Sequence, residues 1–187
     1  MTPALLWLLI MTDAILLKIV NYTNEKITLF LTALGDQLNI NGNNKKTQYG
    51  LTSLLGVRAF YGLLYLRGAL QLNLRLVDDV WYHESANNIF AATMQRQRFT
   101  FLMRIMSFDD YKTRKDRRQS DKFCPFREFF EAVNCSFLKL RNPSAHLYPY
   151  RGRIGFKQYN PSKPAKYGLL FQSLCDSSVQ YMYYCLP

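Results

Sequence analysis

Arg151-Gly-Arg-Ile-Gly-Phe-Lys-Gln-Tyr-Asn-Pro-Ser-Lys-Pro-Ala-Lys-Tyr-Gly168 is the most informative stretch of this 187-residue chain. It carries Arg151, Arg153, Lys157, Lys163 and Lys166 and no acid, interleaved with Phe156, Tyr159 and Tyr167. Guanidinium and ammonium groups neutralise phosphates, and aromatic rings stack on bases or pack beside sugars. Pro149, Pro161 and Pro164 exclude a long helix here. By composition alone, a basic strand-and-loop with no ligand has the same appearance.

Downstream, Tyr167–Asp176 and Gln180–Cys185 read as two strands joined by a tight turn at Asp176-Ser-Ser-Val179. Upstream of Asn142-Pro143-Ser144 the texture is helical. Pro125 suits the first turn of a helix carrying Phe126, Phe129, Phe130, Val133, Phe137 and Leu138 at helical spacing. Before it, Tyr111–Lys122 holds six basic residues and two acids and reads as an exposed loop. A further helix is expected over Met94–Met106, with Phe99, Leu102, Met103 and Met106 inward. Trp81 anchors a short segment over Asp78–Glu84.

Thr52 or Ser53 caps an apolar helix to about Leu70, in which Gly56, Gly62 and Gly68 are expected to admit close neighbours. The polar segment Gly35–Gly50 reads as a surface loop. Thr12 caps a helix from Asp13 to about Lys26, with Ile15, Leu16, Ile19, Val20, Tyr22 and Thr23 on its packed sides. The run Pro3–Met11 reads as a buried helix and its lead-in. It lacks the basic flank and cleavage site of a secretory signal and falls short of the ~20 residues that span a bilayer. The expected fold is mixed α/β, with a helical region over 1–143 and a β-containing segment over 144–187. That sheet is expected to have an open edge and no covering helices.

The net charge of +11 favours polyanionic partners. Residues 96–166 hold 17 Lys/Arg against 6 Asp/Glu, while the remainder holds 7 of each, so the surplus belongs to one contiguous stretch. That concentration favours a binding face over an evenly solvated surface. Cys124, Cys135, Cys175 and Cys185 form no CxxC pair, and neither His83 nor His146 stands at zinc-finger spacing from them. Free, buried or half-buried thiols are expected. No P-loop, GxSxG elbow, HExxH site or dinucleotide fingerprint is present.

The order of residues adds a specific signal. Pro149-Tyr150-Arg151-Gly152-Arg153, Phe156-Lys157-Gln158-Tyr159, Pro161, Lys163-Pro164 and Lys166-Tyr167-Gly168 stand in the register of a run found in piggyBac-type transposases, and the chain resembles that family. Leu174-Cys175-Asp176-Ser177, Met94 with Arg98-Phe99, Phe108-Asp109-Asp110, Asp121-Lys122-Phe123, and Phe60–Leu70 followed by Trp81 extend the likeness over roughly Thr12–Leu186. The resemblance implies a helical dimerisation and DNA-binding region that leads into an RNase H-like catalytic domain. It also implies three carboxylates holding two divalent metals such as Mg²⁺, which clamp the attacking and leaving oxygens.

The chain departs from that pattern where the first catalytic Asp is expected. Aligned without a gap, Ser144 and Ala145 fill the family's Asp and Glu positions; aligned with one, about half a dozen residues are missing between His146 and Tyr148. No carboxylate occurs between Glu131 and Asp176, and the second and third Asp of the family would lie beyond Pro187. Asp176 is expected to cap a turn rather than to act in catalysis. The adjacent acids Asp78-Asp79 and Asp109-Asp110 fit helix ends.

The expected function is that of a truncated, catalytically inactive piggyBac-derived protein with no metal cofactor and weakly specific DNA binding, located in the nucleus. The expected DNA contacts are Lys112, Arg114, Lys115, Arg117, Arg118, Lys122, Arg151, Arg153, Lys157, Lys163 and Lys166. The alternatives are an interaction module self-associating through the Leu51–Leu70 helix, or a non-functional fragment of a decayed gene. No membrane partner is expected.

Overall fold

A computed structural model describes residues 2–34, 48–72, 74–82, 89–142, 147–150, 158–159, 167–168, 172–176 and 181–186. The helices are α1 (Pro3–Ile10), α2 (Asp13–Leu34), α3 (Leu54–Ala69), α4 (Val77–Tyr82), α5 (Ile89–Thr93), α6 (Arg96–Ile105), α7 (Arg114–Ser120) and α8 (Cys124–Leu140). The strands are β1 (Leu147–Tyr150), β2 (Gln158–Tyr159), β3 (Tyr167–Gly168), β4 (Gln172–Asp176) and β5 (Tyr181–Leu186). The fold is mixed α/β, helical in front and β-containing behind. Two compact units emerge: residues 16–111, and residues 1–15 together with 112–187. A division at 143 follows the change of texture, whereas compactness groups α7 and α8 with the strands.

In the 16–111 unit, an aromatic core gathers Phe60, Leu63, Val80, Trp81, Phe90, Phe99, Phe101, Leu102 and Ile105 around Ile27. Trp81 stacks obliquely on Phe99 (4.8 Å) and Phe90 (5.1 Å), and its indole N–H donates to the Met94 carbonyl at 2.9 Å. Helix α2 buries Ile15, Leu16, Ile19, Val20, Thr23 and Ile27 at helical spacing. It runs to Leu34, well beyond the expected end near Lys26, because Phe30 and Leu31 continue the packed stripe.

Ser53 caps α3 by accepting the Gly56 N–H at 3.2 Å. A Cβ on Gly56 would stand 2.9 Å from the Thr52 hydroxyl, whereas Gly62 and Gly68 face open space within 4 Å. The expected close helix approach at those last two glycines is therefore not seen. Met103, expected inside α6, is exposed, and Phe101 and Ile105 take the buried positions. The segment before α3 is pinned from within. Arg98 donates to the carbonyls of Gln48 (3.0 Å), Gly50 (2.6 Å) and Leu51 (3.2 Å), and Tyr49 packs edge-on to Phe101 at 5.1 Å. The end of the expected 35–50 surface loop is thus anchored; residues 35–47 lie outside the described residues.

In the other unit, β1, β4 and β5 form an antiparallel sheet in the order β1-β4-β5, with a register shift between Leu174 and Cys175. Pro149 stands on the edge strand β1, where a missing N–H is tolerated. Gln158 pairs with Gly168, and Tyr159 with Tyr167, so the quoted stretch contains a second antiparallel pair, β2–β3. Helix α8 lies beside β5, where no covering helix was expected, and engages its edge at Cys185. Asn134 of α8 donates to the Cys185 carbonyl (2.8 Å) and accepts its N–H (3.1 Å), the exchange a neighbouring strand would make. The Tyr181 hydroxyl donates to the Phe137 carbonyl at 2.9 Å, and that of Tyr183 to the Asn142 carbonyl. In α1, Leu5, Leu6 and Leu9 are exposed, so the expected burial of this helix fails on that side. Leu138 and Phe126 of α8 are also exposed.

Candidate nucleic-acid interface

The run Arg114-Lys-Asp-Arg-Arg-Gln-Ser120 forms helix α7, where a loop was expected. Arg, Lys and Gln are good helix formers, Asp116 lies in the first turn and Arg117 and Arg118 in the last, each sign complementing the helix dipole. The helix buries none of its residues. Propensity and end effects favour the helix, and its bonds to Cys124 hold so short a segment in place.

The helix sorts its cations into two sets. Lys115 and Arg118, three residues apart, are exposed, as are Lys112 before the helix and Lys122 after it. Arg114 and Arg117, also three apart, are half-buried. The Arg117 guanidinium donates to the Thr113 hydroxyl (3.1 Å) and the Cys124 carbonyl (3.5 Å), and the Cys124 thiol donates to the Arg114 carbonyl. Arg117 therefore secures the corner between α7 and α8, while Lys112, Lys115, Arg118 and Lys122 remain exposed.

Asp121 builds the rest of that corner. Its carboxylate accepts the Phe123 N–H at 2.9 Å and a two-pronged pair from Arg127 at 2.8 and 2.9 Å. The Arg127 hydrogen bond, opposed by partial desolvation and aided by the Phe123 N–H, holds the Asp121 carboxyl below its ordinary range. Arg127 also lies over the Phe123 ring, 5.3 Å from its centre. In the sequence Asp121 and Phe123 stand out only within a family run and Arg127 not at all, although an Asp two residues before the helix N-cap is a recognisable turn signal. The other expected contacts, Arg151, Arg153, Lys157, Lys163 and Lys166, lie outside the described residues, as do His83, His146, Ser144 and Ala145.

The model of the Transposase IS4 family matches residues 2–187. The chain belongs to that family. No curated protein matches it. Among solved structures, the chain is similar to a piggyBac transposase seen by cryo-electron microscopy in a synaptic complex with hairpin DNA. The likeness has 30% identity and a TM-score of 0.82, and covers 99% of this chain and 38% of that one. Together these make the chain a piggyBac-type member, transposase-derived, that spans well under half the length of that relative.

Two-metal chemistry of the type the resemblance implies needs clustered carboxylates. Among the described residues, no group of three or more His, Cys, Asp or Glu side chains could hold a metal ion. Asp176 is buried at the end of β4, with Leu147 and Tyr181 as its cross-strand neighbours. Among the described residues, no single helix is long and apolar enough to cross a membrane. All four cysteines are free; Cys124 and Cys185 are buried, Cys175 is half-buried and Cys135 is exposed.

Proposed function

We propose that this transposase-family chain binds DNA through its phosphates and does not cut it. The observation that carries this reading is the exposure of Lys112, Lys115, Arg118 and Lys122 within eleven residues, on a fold similar to that of a transposase seen with hairpin DNA. Phosphate contacts position a protein without reading sequence. A seven-residue helix with two exposed cations, Lys115 and Arg118, has no set of side chains arranged for base edges, so discrimination between sequences is weak. Arg151, Arg153, Lys157, Lys163 and Lys166 extend the same contact. The β strands after Leu147 begin an RNase H-like domain, and the chain acts in the nucleus. The absence of cutting rests on Ser144 and Ala145, which stand at the family's first carboxylate positions in the ungapped register.

The test is incubation of the full chain with unrelated duplex DNA and with transposon-end DNA, in Mg²⁺ or Mn²⁺ at low salt. Retention of both as intact strands is expected. Cleavage abolished by Asp176→Ala would overturn the catalytic half, and failure to retain either DNA the binding half.

A second reading, self-association, is favoured by α3 and its flanks, where Leu51, Leu55, Tyr65 and Leu70 are exposed. Sedimentation of the parent and a Leu55→Glu/Tyr65→Glu variant separates it. A parent dimer that the variant loses supports it, and a monomeric parent at tens of micromolar removes it.

A further inference from the structure

Helix α7 ends in Arg117-Arg118-Gln119-Ser120, a hydroxyl preceded by arginines at the second and third positions before it. Ser120 is exposed, and its hydroxyl donates only locally, to the Arg117 carbonyl at 3.1 Å. The helix around it has no fully buried residue, and opening its last turn breaks the Arg117 bonds to the Thr113 hydroxyl and the Cys124 carbonyl but no apolar core contact. The acid that follows, Asp121, has its charge engaged by Arg127. Ser107 has an arginine, Arg104, at the same third position, yet is buried and hydrogen-bonded to Thr23. The hydroxyl and Arg118 are exposed at Ser120, where a kinase must draw Arg117 from its corner, whereas Ser107 is itself buried.

We propose that Ser120 is a phosphorylation site for a protein kinase selecting paired arginines, and that the phosphate switches off the cationic segment. In the transfer, Ser120 Oγ bonds to the γ-phosphorus of a nucleoside triphosphate. The bond from that phosphorus to the β–γ bridging oxygen breaks, the nucleoside diphosphate leaves, and the hydroxyl proton passes to the kinase's base. Residues 112–122 carry six cations and two acids, a net of +4; a phosphoserine adds about −1.5 to −2 and so removes up to about half of it. The new charge lands at a helix C-terminus, where the dipole disfavours an anion, and deletes the hydroxyl's donation to Arg117.

The site claim stands on the sequence and geometry of α7, whereas the switch rests on the DNA-binding reading. The experiment incubates the full chain with ATP and the catalytic subunit of cAMP-dependent protein kinase, maps phosphate by mass spectrometry, and measures duplex DNA binding across a salt series. Phosphate is expected at Ser120 and not at Ser107, and Ser120→Ala is expected to lose it. The modified chain's slope of log K against log salt is expected to shallow by roughly 1.4 to 1.8 units. Phosphate confined to other residues overturns the site. Phosphate at Ser120 with an unchanged slope overturns the switch. An unmodified chain that binds no DNA overturns the binding reading and the switch with it, while the mapping still decides the site.

Discussion

Asn134 and Cys185 exchange two hydrogen bonds, a side-chain amide on α8 serving the backbone N–H and C=O of β5. Both residues are buried. On the strand edge one residue's N–H and C=O are satisfied by one side chain, which ties the sheet to the helix beside it. Asn134→Ala leaves a buried donor and acceptor without partners, at about 1–3 kcal/mol each. Urea unfolding followed by far-ultraviolet circular dichroism should show a loss of about 2–6 kcal/mol. A loss under about 0.5 kcal/mol would mean that water serves those groups equally well.

Hydrogen exchange gives a second reading of the same lock. The amides of β4 and β5 should exchange slowly in the parent and speed up in Asn134→Ala, with the aromatic core around Trp81 unaffected. Fast exchange at Cys185 in the parent would show that the edge opens freely.

Arg98 supports three carbonyls on the segment leading into α3, and burial keeps its guanidinium below its ordinary pKa without changing its charge at any physiological pH. A lysine is a compact point charge that cannot reproduce the planar fork. Arg98→Lys should lose about 1–3 kcal/mol of stability by thermal or urea unfolding. An unchanged midpoint would reduce the clamp to a passive contact.

Much of this was legible in the sequence. The Ser53 cap, Pro125 in the first turn of α8, the buried stripe of α2 and the β4–β5 pair are local signals, each set by a few adjacent residues. Asn134 was not legible, because a polar residue inside an apolar stripe declares itself only when its partner strand, some fifty residues away, is in place. Helix α7 was missed for the opposite reason: its charges suggested a solvated loop, while its propensities favoured a helix. The cationic segment was visible as a charge run, but the separation of Arg114 and Arg117 from Lys115 and Arg118 needed the helix.

The Asp121–Arg127 pair makes stability depend on pH. Its carboxyl is depressed in the folded chain, so its contribution is present above the unfolded value of about 4 and lost as pH falls through the lower folded value. The parent should exceed Asp121→Asn in melting temperature at pH 6, and the gap should narrow below pH 4. A gap constant down to pH 2.5 would show that the charge of Asp121 does not carry the difference.

The central claim is that the exposed cations of α7, not its half-buried arginines, meet DNA phosphates. The most direct measurement is fluorescence anisotropy of a labelled duplex across a salt series, comparing the parent with Lys115→Ala/Arg118→Ala/Lys122→Ala. With about five phosphates neutralised, the parent slope of log K against log salt should be roughly −4 to −5. The triple variant should shallow it by about 2 to 3 units, equally for unrelated sequences, with its unfolding midpoint preserved. Equal slopes for parent and variant would contradict the account.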